Sequence, residues 1–72
     1  MAVMKTIEVL SESSKSFEDA IQNAVSRTGR TVNNIRSAYV NEMTTLIEDN
    51  RIAKYRVNCK ITFEVGGGDE EE

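Results

Sequence analysis

The chain contains no histidine and a single cysteine, Cys59, in 72 residues. A lone thiol cannot close an internal disulfide, and without a Cys/His cluster no zinc site has ligands, so no metal is expected. Without histidine nothing activates a serine, and no lysine stands in a catalytic pattern, so the chain does not read as an enzyme. No apolar run approaches the roughly 20 residues of a membrane span, and no membrane contact is expected. No secretory leader is recognisable; with the free thiol, this points to a reducing cytoplasm. Basic excess is also missing: the net charge is −3, and four of the acids are Asp69, Glu70, Glu71 and Glu72. The rest of the chain is nearly neutral, which argues against nucleic acid as a partner.

A chain this short makes one domain. It buries only about 60–65% of its unfolded surface, and such domains need a disulfide, a metal or a partner. With the first two absent, association with copies of itself is the expectation.

The clearest pattern is "YRVNCKITFEV" at Tyr55–Val65. Tyr55, Val57, Cys59, Ile61, Phe63 and Val65 fall on one parity, and Arg56, Asn58, Lys60, Thr62 and Glu64 on the other, as in a half-buried strand. "VMKTIEVL" predicts a first strand over Val3–Leu10, broken by the turn-rich "SESSKS". Ser16 then caps a helix with early acids at Glu18 and Asp19. Phe17, Ala20, Ile21, Ala24, Val25 and Thr28 recur on one helical stripe, which reads as core. Gly29 weakens the helix, with Arg30 and Thr31 able to complete a last turn. Ile35–Ile47 predicts a second strand of uncertain facing, because Ala38 and Val40 share parity with Arg36 and Glu42. "EDNR" turns the chain, since Asp49 and Asn50 tolerate the positive φ of a tight hairpin. The third strand runs from Arg51 or Ile52 to near Val65. "GGG" and "DEEE" then predict a flexible acidic tail over 66–72.

The fold class is therefore α+β, in the order β-α-β-β. A right-handed crossover places the third strand between the first two, giving sheet order 1-3-2 with one helix on one face.

"KTIEVL", "SESSKSFEDAI", "TVNNIR", "IEDNRIAKYRV" and "KITFEV" occur here in the order and spacing of the dodecin family, which the chain resembles from about Lys5 to Val65. The resemblance implies that residues 1–65 form a dodecin-like domain, a three-stranded antiparallel sheet wrapped around one helix. It also implies a homo-oligomer, a dodecamer forming a hollow shell, that stores a flavin: FMN, FAD or riboflavin. Flavin-binding members stack the ring on a tryptophan after the N-I-R segment and hydrogen-bond it with a glutamine in the Y-Q-V strand. Here those positions are Ser37 and Arg56, and the chain has no tryptophan. A stacking contact is worth about 1–3 kcal/mol, so its loss weakens flavin binding. Arginine can still donate to a carbonyl or stack through its guanidinium plane.

Arg36, Ser37 and Arg56 are thus the candidate ligand residues. The plainer reading of the two arginines is a subunit salt bridge, for instance to Glu42 or Glu64 of a neighbour. Tyr39 shares parity with Ser37 and offers an aromatic surface, although nothing in the sequence places it near a ligand. Selenium-binding dodecin-like archaeal proteins, which use a solitary cysteine as the attachment point, give a rival reading through Cys59. Against it, parity puts Cys59 with Val57 and Ile61 toward the helix, as a small buried hydrophobe. A third reading is a shell with no dedicated ligand. Glu18–Asp19 and Glu48–Asp49 serve the helix start and the turn. Neither pair forms a catalytic dyad, and no loop offers the six to eight oxygens of a calcium site.

Overall fold

The computed structural model describes residues 2–66, and the acidic run Asp69–Glu72 lies outside the described residues. The elements are β1 (Val3–Ser13), α1 (Phe17–Thr28), β2 (Ile35–Glu48) and β3 (Arg51–Val65). The three strands form one sheet in the order β1-β3-β2, with β3 antiparallel to both neighbours. This is the β-α-β-β arrangement and the strand order that the sequence predicts.

The alternation of β3 decides where the core sits. Val57, Cys59 and Ile61 are completely buried and pack with Ala20 and Ala24 of α1. The small alanines let the helix approach the sheet closely, and Ile7, Val9, Ala38 and Val40 close the sides. Phe17 meets Tyr55 edge to face, with ring centroids 5.1 Å apart and planes at 75°.

Capping holds α1 in place. Ser16 Oγ accepts from the Asp19 N–H at 3.0 Å. Ser13, 7% exposed, donates to Asp19 Oδ2 at 2.6 Å and accepts from the Lys15 N–H at 2.9 Å. At the other end the Arg30 and Thr31 N–H groups bond the Arg27 and Thr28 carbonyls, which tightens one further turn beyond Gly29. Asp49 and Asn50 have φ of 53° and 60°, the two positive values a two-residue hairpin needs.

Two boundaries differ from expectation. β1 continues through Ser11, Glu12 and Ser13, which pair with Val57, Arg56 and Tyr55. Cross-strand bonding overrides the turn preference of that serine-rich stretch. β2 runs one residue further, to Glu48.

The helix is much shorter than the hairpin. Twelve helical residues span about 18 Å, whereas the 15 residues of β3 span about 50 Å. The molecule is accordingly 55 Å long and only 19 by 13 Å across. The far half of the β2–β3 hairpin overhangs α1, leaving Met43, Ile47 and Ile52 more than half exposed.

Candidate functional site

The sheet face turned away from α1 carries the polar side chains of β3. Opposite residues in paired strands share a face, so the register fixes its rows. Glu12, Arg56 and Thr44 form one row, and Leu10, Asn58 and Glu42 the next. Glu8, Lys60 and Tyr39 follow, and then Thr6, Thr62 and Ser37.

Two β-bulges on β2 settle its facing. The pairing steps from Ile35↔Phe63 to Ser37↔Thr62, so Arg36 is the extra residue; it then steps from Val40↔Cys59 to Glu42↔Asn58, so Asn41 is the second. Each extra residue inverts the phase of the strand. Ala38 and Val40 therefore dock on the core, while Ser37, Tyr39 and Glu42 share the open face. Simple parity on β2 could not show this.

Arg36 and Arg56 are both engaged by carboxylates of their own chain. Arg36 donates from Nε and Nη2 to Glu64 Oε1 at 3.1 and 2.7 Å. Arg56 holds Glu12 Oε2 from Nε at 2.8 Å, and Lys54 lies 3.8 Å from Glu12 Oε1. The hydrogen bond from Arg56 keeps the Glu12 carboxyl below its ordinary value. Asn58 donates to Glu8 at 2.8 Å, and its own Oδ1 is buried without a partner among the described residues.

The three candidate ligand residues are not brought together. Ser37 lies opposite Thr62, and Arg36 precedes it, whereas Arg56 is six residues further along β3. At the strand rise that is about 20 Å. Ser37 and Arg56 of one chain therefore stand at different places along the sheet.

Cys59 is fully buried in the core, and burial pushes its thiol up from the usual value. Its surroundings thus favour the neutral thiol over the nucleophilic thiolate.

A groove of about 520 Å³ lies elsewhere, between the edge of β1 (Leu10, Ser11, Glu12) and α1 (Asn23, Arg27). None of Arg36, Ser37 and Arg56 lines it. Among the described residues no three acidic or cysteine side chains converge as a metal site, and no helix is long and apolar enough to cross a membrane.

Comparison with known proteins gives one family. The Dodecin family model matches residues 3–66. The chain is similar to the dodecin of Streptomyces davaonensis, at 23% identity over 90% of this chain and 96% of that one, with a TM-score of 0.86. A point mutant of the Thermus thermophilus dodecin matches at 26% identity over 92% and 98%, with a TM-score of 0.87. The calcium-chelating antigen of Mycobacterium tuberculosis, a calcium dodecin, matches at 28% identity over 96% and 99%, with a TM-score of 0.78. No match is found among the curated proteins.

Proposed function

The chain belongs to the dodecin family, and from that premise we propose that it is a non-catalytic homo-oligomer, a dodecameric shell, that binds a flavin and keeps it from solvent. The observation that carries the reading is the uncovered half of the fold. α1 covers one face of one half of the sheet, and among the described residues eight large apolar side chains are at least 44% exposed, Met43, Ile47 and Ile52 on the overhanging arm among them. A domain this small gains stability by covering such a surface with further copies.

In this assembly the open sheet face supplies the ligand contacts. Ser37 offers a hydroxyl, and Arg36 and Arg56 offer charge-assisted donors to the carbonyls of a ring. Because Arg56 stands about 20 Å along the sheet from Ser37, the site is completed by neighbouring copies. FMN, FAD and riboflavin share the ring system that such contacts would recognise. Sequestration protects a photoreactive ring and buffers its free concentration. We take residues 1–65 as the shell-forming body.

Neither alternative ligand has comparable support. Calcium is bound by one similar protein, but no acidic cluster stands on the described surface. Selenium capture at Cys59 requires an opening of the core in which that thiol is buried.

Titrating riboflavin or FMN with the purified protein and following flavin fluorescence tests the reading. Quenching that saturates at micromolar protein is expected. Undiminished fluorescence at that concentration would refute tight flavin binding.

A further inference from the structure

We infer that Tyr39 is the aromatic platform of the ligand site, taking up from two residues along β2 the stacking role that Ser37 cannot fill. The inference rests on the flavin reading above and adds to it the residue and the chemical class: a planar, carbonyl-bearing heteroaromatic ring.

Four aromatic side chains occur in the chain. Phe17 and Tyr55 meet edge to face on the helix side of the sheet, and Phe63 pairs with Lys5 and Ile35 on that same side. Tyr39 is therefore the only aromatic ring on the open face among the described residues. It is 65% exposed, where a tyrosine with a structural role in the chain would be covered.

The backbone is arranged to keep it there. The bulges at Arg36 and Asn41 bracket the segment Ser37–Val40. Bulges re-aim side chains and are over-represented beside binding sites. Between these two, Ala38 and Val40 anchor the segment to the core while Ser37 and Tyr39 stand side by side on the open face.

The neighbouring row supplies hydrogen bonding without charge. Thr6 Oγ1 and Thr62 Oγ1 are 3.0 Å apart, and Ser37 stands opposite Thr62. Three hydroxyls thus cross the sheet about 7 Å from the Tyr39 row, two residues along each strand. Each hydroxyl donates or accepts as required. A fused ring lying on Tyr39 reaches this row with its polar edge and meets groups able to serve both its carbonyls and its N–H. The nearest arginine, Arg36, is paired with Glu64, while Lys60, directly opposite Tyr39, and Glu8 beyond it put one charge of each sign in the ring's own row.

Riboflavin titrations of Tyr39→Phe and Tyr39→Ala, each beside wild type, with native mass recorded for all three, test this. The wild type and Tyr39→Phe should quench riboflavin with affinities within about threefold of each other, because both keep a π face. Tyr39→Ala should lose about ten- to a hundredfold in affinity with unchanged particle mass. Wild-type affinity in Tyr39→Ala would overturn the role of Tyr39 and leave the flavin reading standing. Dissociation of Tyr39→Ala would make the ring an assembly contact and likewise overturn it. Absence of quenching by the wild type would overturn both.

Discussion

Arg56 and Glu12 face each other across the β1–β3 ladder, with the guanidinium Nε and Nη2 at 2.8 and 2.6 Å from the same carboxylate oxygen, Oε2. The pair ties the end of β1 to the central strand and occupies one of the arginines proposed to meet the ligand. A ligand recognised by Arg56 must share it with Glu12.

The pair gives a pH dependence of definite sign. The hydrogen bond from Arg56 lowers the Glu12 carboxyl from its ordinary value of 4.5. A carboxylate with a depressed folded pKa contributes stability that is complete above its unfolded value and is lost as pH falls through the folded one. Glu12→Gln should therefore melt slightly below wild type at neutral pH, and the gap should close as the medium is acidified below 4.5. The pair is exposed, so the gap is small. Thermal midpoints of both proteins across that range check this; a gap unchanged in acid would show that charge is not its cause.

Cys59 should resist a thiol reagent in the native protein and react fully once unfolded, because its sulfur is buried and its pKa is raised by burial. Cys59→Ser should cost about 1–3 kcal/mol through an unsatisfied buried hydroxyl. Labelling rates with and without denaturant, and a denaturant melt of the variant, are the measurements. Immediate labelling of the native thiol would reopen the selenium-binding reading through Cys59.

Placing an aromatic residue at Ser37 should strengthen binding. Ser37 is exposed on the open face opposite Thr62, so Ser37→Trp has room there and adds a stacking surface worth about 1–3 kcal/mol. Riboflavin affinity, read by fluorescence quenching, should rise about tenfold or more. An unchanged affinity would place the ring away from this part of β2.

Much of this architecture was legible in the residues, and the exceptions have physical causes. β3 reads directly because its strict alternation matches a central strand with one face under a helix. The Asp49–Asn50 turn reads because few residue types accept two positive φ values. β2 misleads because the extra residues at Arg36 and Asn41 shift its phase twice, and a bulge has no fixed sequence mark. β1 ends late because Ser13 and Glu12 are held by Asp19 and Arg56, partners that local turn preference does not see. For the same reason the arginine partners were hidden, since Arg36 meets Glu64 from 28 residues away and Arg56 meets Glu12 from 44. Tyr39 was visible as a possible platform, but only the bulged register sets it beside the row of hydroxyls.

Everything proposed for the ligand depends on the chain covering its bare sheet face and its overhanging arm with further copies of itself. The native mass of the purified protein at micromolar concentration, measured beside Ile47→Lys and Ile52→Lys, tests that directly. Assembly through these surfaces predicts a particle close to twelve times 8.1 kDa for wild type and smaller particles for the two charged variants, whose exposed arm positions can no longer be buried. A wild-type particle of 8.1 kDa that still unfolds cooperatively would contradict it.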